Sequence, residues 1–75
     1  MMLGEVRRLY NAIGVDGLAE CAGQFMPLNQ NQPLFSIIGT RFGGDGKTYF
    51  QLPKLPVDSG PKYYIALQGY YPQFE

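Results

Sequence analysis

Asn29 to Phe50, NQNQPLFSIIGTRFGGDGKTYF, decides the reading of this 75-residue chain. Asn29 and Asn31 are candidate helix N-caps, because a short side-chain oxygen can accept from backbone N–H groups left free in the first turn. Pro33 fits only that first turn, where its missing N–H costs little. Leu34, Ile37 and Ile38 fall on one face at i, i+3, i+4 spacing, and Phe35 widens it. Gly39 stands where a glycine ends a helix, so the spacing predicts one short helix over about residues 29–39. Gly43, Gly44, Asp45 and Gly46 then form a turn rich in residues that accept positive φ. Thr48-Tyr49-Phe50 returns to strand composition.

Outward from this unit the chain reads as short strands. Met2 to Tyr10 predicts a first strand, marked as an exposed or edge strand by Glu5 and Arg8. Asn11 to Gly17, with Gly14 and Asp16, is turn-rich. Leu18 to Cys21 predicts a second strand, Ala22-Gly23 a tight turn, and Gln24 to Met26 a third strand pairing back and ending at Pro27. Lys47 to Gln51 is the fourth. Leu52-Pro53-Lys54-Leu55-Pro56 lacks two backbone donors and is expected to run extended across the surface. Asp58 to Pro61 reads as a turn or link. Tyr63 to Leu67 alternates as a strand, with Tyr64 and Ala66 on one face and Tyr63, Ile65 and Leu67 on the other. The expected class is α+β: a small, mostly antiparallel β domain with one short helix. No repeat or composition break divides it, so residues 1–75 are expected to form a single domain.

Composition removes several function classes. Formal net charge is zero, with six basic and six acidic residues, so no basic patch supports nucleic-acid binding. The chain has no His and one Cys, Cys21, which leaves neither an intrachain disulfide nor a zinc set; Cys21 reads as a small buried hydrophobe. No apolar run reaches the roughly 18 residues of a membrane span, and Met1 to Tyr10 lacks a signal-peptide pattern. Gly44-Asp45-Gly46-Lys47-Thr48 evokes a phosphate loop, but that pattern needs glycine where Arg41 stands. Glu5, Asp16, Glu20, Asp45, Asp58 and Glu75 form no evident acid–base pair, and Ser36 has no base. No cofactor, metal site or enzymatic activity is expected.

Separate motifs, in order, carry a family resemblance. Gly4-Glu5-Val6-Arg7, the run Cys21 to Leu28, Asn29-Gln30-Asn31, Leu34 to Thr40, Gly43 to Gly46, Phe50-Gln51-Leu52-Pro53 and Tyr64 to Pro72 resemble the phage tail collar domain. That family includes microcystin-dependent proteins and domains of phage short tail fibres. Leu18 departs from the Trp of many relatives but stays apolar, and Ala22 departs from their Asp or Asn. Longer members insert a glycine-rich stretch where this chain has only Lys54 to Lys62.

The resemblance implies a structural or assembly module of a phage tail fibre or tail-derived particle. It would sit in a virion tail or extracellular particle, made in the bacterial cytoplasm without a signal peptide. The alternative is a small adhesin, a receptor- or glycan-binding tip that uses exposed aromatics. Partners implied are other tail or fibre proteins and the chain itself. The resemblance suggests a homotrimer, with an open filament-like assembly as the alternative. Aromatics make up 15% of the chain, many for a core of this size. Most are expected to lie in the core. Phe35, Tyr63, Tyr64, Tyr70 and Tyr71 are the candidate interface residues, since two consecutive strand residues such as Tyr70 and Tyr71 cannot both point inward. Gly39, Gly43, Gly44, Asp45 and Gly46 are the candidate structural turn.

Overall fold

The computed structural model describes residues 2–11 and 16–71. Gly14 of the expected first turn, and Pro72 and Glu75 at the end, lie outside them. The elements are β1 (Val6–Leu9), β2 (Leu18–Glu20), β3 (Phe25–Pro27), a 3₁₀ turn (Leu28–Gln30), α1 (Gln32–Ile38), β4 (Tyr49–Gln51) and β5 (Lys62–Ala66). Two antiparallel sheets result, one ordered β1-β5-β2 and one β3-β4. The α+β class stands: among the described residues there are five strands in antiparallel sheets and one short α-helix.

The first sheet is built on β5. Val6 lies opposite Ile65 and Arg8 opposite Tyr63, while Ala19 faces Ile65 from the other side. Strand alternation puts Tyr63, Ile65 and Leu67 on one face. That face is the inner one: Ile65 is buried, and Ala19, Tyr63 and Leu67 pack against the core. The first strand is shorter than its sequence suggests. Gly4 turns at φ 81, so Met2 instead forms an isolated parallel bridge with Tyr70.

The core sits where both sheets meet the helix. Ile65 comes from the first sheet and Cys21 from just past β2, Phe50 from the second sheet, and Leu34 and Ile38 from α1, with Leu3 and Leu52 completing the cluster. Phe50 is wholly buried, and the Phe35 ring leans on it with centroids 5.4 Å apart. The predicted helix face is therefore the buried face. Cys21 is a buried apolar filler, and burial, helped by the nearby Glu20 charge, pushes its thiol pKa up.

Four expectations need correction. The predicted helix over 29–39 is split: Leu28–Gln30 wind as a 3₁₀ turn and the α-helix begins at Gln32. Neither asparagine caps by its side chain. Asn29 lies inside the 3₁₀ turn, and the Asn31 amide donates backward to the Pro27 carbonyl at 3.0 Å. Second, β3 pairs with β4, Met26 opposite Phe50, and not with β2. At Gly23, φ 77, the chain swings away, and the Gly23 N–H donates to the Pro53 carbonyl at 3.2 Å. Third, Leu52 and Pro53 are buried and not laid across the surface. The prolines only forbid ladder donation, and the bonds Leu52 N–H to Gln24 O and Leu55 N–H to Cys21 O still tie the segment in. Fourth, the aromatics are not mostly core: Tyr10, Phe25, Phe42, Tyr70 and Tyr71 are exposed.

Candidate assembly surface

Gly39 ends α1 at φ 57, ψ −142, with its N–H donating to the Phe35 carbonyl. Gly43, Gly44 and Gly46 also have positive φ. Gly44 bridges Phe50, so the turn folds back along the outer edge of β4 and covers it. Gly46 and Gln51 N–H groups complete that cover by donating to Tyr49 and Gly43 carbonyls.

Asp45 holds the turn together. Its Oδ1 accepts from the N–H groups of Lys47 (2.8 Å), Thr48 (2.9 Å) and Tyr49 (3.2 Å), and its Oδ2 from the Thr48 hydroxyl (2.7 Å). The Lys47 N–H is the strongest single influence, and together these donors hold the carboxyl well below the usual Asp range. The converging N–H groups make an anion nest, already filled by the chain's own carboxylate. The phosphate-loop reading of Gly44 to Thr48 thus fails on geometry as well as on spacing.

The five candidate interface residues separate into three settings. Phe35 and Tyr63 are half-buried against the core. Tyr63 also carries the Arg8 guanidinium 5.4 Å from its ring centroid, and Arg8 Nε donates to the Pro61 carbonyl. Tyr64 lies on the outer face of the first sheet, opposite Arg7 on one side and Glu20 on the other. Arg7 is itself paired with Glu5, and Glu20 with Lys62. Tyr70 and Tyr71 are exposed, Tyr70 by 79%. The Tyr70 backbone is fixed, since its carbonyl accepts from Leu3 N–H and it bridges Met2. The Tyr71 hydroxyl lies 2.5 Å from Ser36 Oγ, whose own proton goes to the Pro33 carbonyl. Tyr71 is therefore the donor to Ser36 and ties the closing segment to α1. Met2, Tyr70 and Tyr71 are thus each exposed, Met2 and Tyr70 on bridged backbone and Tyr71 tied to α1 through its hydroxyl.

Sequence reading missed a second aromatic surface. Phe25 and Tyr49 pack against each other at a tilt of 42° on the outer face of the β3-β4 sheet, centroids 4.8 Å apart, with Phe25 66% exposed. The signal was present: Met26 and Phe50 point inward, so their neighbours must point outward.

The described residues thus form a two-sheet α+β module with a glycine turn capped by an aspartate and aromatics displayed on its outside. The phage tail collar domain model matches residues 4–58, and the chain belongs to that family. Membership indicates a structural role in a phage tail fibre. No curated protein and no solved structure matches the chain. No helix among the described residues is long and apolar enough to cross a membrane.

Proposed function

We propose that this protein is a non-enzymatic assembly module of a phage tail fibre or tail-derived particle, located in the particle's tail, and that it works as a homotrimer. The carrying observation is the exposure of Met2, Tyr70 and Tyr71, apolar and aromatic side chains held in place by the Met2–Tyr70 bridge and the Tyr71–Ser36 hydrogen bond. Large exposed apolar patches on soluble proteins mark interaction sites, and a pre-ordered one loses less entropy on association. Tyr64, between charged neighbours, is assigned to the rim of such a contact, whereas Phe35 and Tyr63 lie half-buried against the core. Other tail or fibre proteins are the remaining partners.

The adhesin reading rests on the open Phe25–Tyr49 pair, which offers a ring for sugar stacking. The amides beside it count against that reading. Gln51 Nε2 donates to the Gly23 carbonyl, and Gln24 bonds both Ala22 N–H and the Glu20 carbonyl, so they are spent inside the fold.

Light scattering over a concentration series tests the proposal. A plateau at three times the 8.4 kDa chain mass is expected, and Tyr70→Ser with Tyr71→Ser lowers the assembled fraction. A mass that stays at one chain overturns the assembly reading. Mass that climbs without a plateau identifies an open filament in its place.

A further inference from the structure

The connection between β4 and β5 makes one wall of a cleft. Leu55 N–H donates to the Cys21 carbonyl at 2.9 Å, and Lys54 bridges Ala22, so this segment runs beside the end of β2 as an added strand. Between it and the β2-β5 pair lies an open cleft of about 320 Å³. Leu55, Pro56 and Val57 give it an apolar wall, and Glu20, Lys54 and Lys62 a charged rim.

The rim carries two ammonium groups and one carboxylate, an excess of one positive charge in a chain whose net charge is zero. Lys62 Nζ and Glu20 Oε1 are 3.7 Å apart, with side chains 55% and 46% exposed. Such an exposed pair contributes little, so Lys62 remains available to a ligand. Lys54 has no ion-pair partner among the described residues. Its stem lies over Gly23: a side chain there would meet Lys54 Cβ at 3.3 Å and Cδ at 3.6 Å. The bare backbone at Gly23 gives the Lys54 stem its place at the rim.

We propose that this cleft binds a small hydroxylated carboxylate with the size and polarity of a uronic acid. The ligand carboxylate meets the Lys54 and Lys62 ammonium groups. A ligand hydroxyl donates to the Glu20 carboxylate, and the C–H face of the ring lies on Leu55, Pro56 and Val57. The volume is at the low end of small-molecule sites, roughly 300–1,000 Å³, which suits one sugar unit and not a chain of them. The site is separate from the aromatic surfaces and does not depend on the tail-fibre reading.

Amide NMR titration of the intact chain with glucuronate, glucose and acetate tests this. Glucuronate is expected to give saturable shifts confined to residues 20–22, 54, 55, 57 and 62, with neither glucose nor acetate reproducing them. Lys54→Gln, an exposed change, weakens glucuronate binding roughly ten-fold, the loss expected for one charge-assisted contact; Lys62→Gln does the same should the first variant fail to fold. Lys47→Gln, in the glycine turn, leaves binding unchanged. The proposal is overturned by no saturable shift, by equal glucose binding, by acetate binding as tightly as glucuronate (an adventitious ion only), or by lysine variants in the cleft that bind like the parent.

Discussion

Asp45 shows how much one side chain can settle. Four donors from three residues converge on its carboxylate, and its folded-state pKa is depressed. A depressed carboxyl stabilises the fold above its unfolded pKa, and that contribution is lost as pH falls toward the folded value. The protein should therefore lose stability as pH drops below about 4, where unfolded Asp begins to protonate. Asp45→Asn should melt lower at neutral pH and show a shallower fall on acidification; thermal melts across a pH series read both. A variant with the parent's pH profile would remove Asp45 from this role. The glycines differ from each other in a way sequence could not reveal. A Cβ at Gly39 meets nothing within 4 Å, whereas at Gly44 it would stand 2.6 Å from Phe50 Cα and 2.8 Å from the Tyr49 carbonyl. Gly39→Ala should cost about 1–3 kcal/mol, the strain of its backbone region alone. Gly44→Ala adds the displacement of β4 and should leave a clearly lower urea midpoint than Gly39→Ala. Equal midpoints would mean that the Gly44–Phe50 bridge does not hold the turn.

At the scale of elements, what each segment does alone was legible, and what it pairs with was not. The apolar spacing of Leu34, Ile37 and Ile38 identified the buried helix face, because a helix carries its face within one segment. The alternation in Tyr63 to Leu67 identified β5 in the same way. The three-residue strand β3 carries too few positions to specify a partner. Its choice of β4 follows from the turn at Gly23 and from Leu52 N–H bonding Gln24 O, contacts about 28 residues apart in the chain. The cleft was illegible for the same reason, since its walls come from β2, the 54–57 segment and β5. The price of so small a second sheet is dependence on one ring. Phe50 links β4 to Phe35 of α1 and to the shared core, so Phe50→Ala should cost about 3–5 kcal/mol. That is a large part of any small domain's stability. Circular dichroism and urea titration should find the variant mostly unfolded. A cooperative midpoint near the parent's would show that the β3-β4 sheet stands without it.

For the whole molecule, the decisive strand lies beyond the segment that marks the family. The match ends at Asp58, yet among the described residues the ladders of β1 and β2 both run to β5, at Lys62–Ala66. Remove β5 and the first sheet loses both its ladders, because β1 and β2 are joined through it. The core also loses Ile65, buried in the middle of the cluster, and the flanking Tyr63 and Leu67. The N-terminal segment is released as well, because Gly4 and Leu3 N–H groups donate to the Ala66 and Tyr70 carbonyls. A domain of this size buries only about 60% of its unfolded surface, so it cannot lose a central strand and remain folded. A chain ending after Asp58 should therefore be unfolded by circular dichroism. Adding a peptide of residues 59–75 should restore β-sheet signal in proportion to its concentration, since the missing strand binds only the folded form. Phe50→Ala in the truncated chain should prevent that rescue, because both sheets close on the same core. A truncated chain that folds cooperatively by itself would show that the two sheets are independent units, and would end the single-domain reading of residues 1–75.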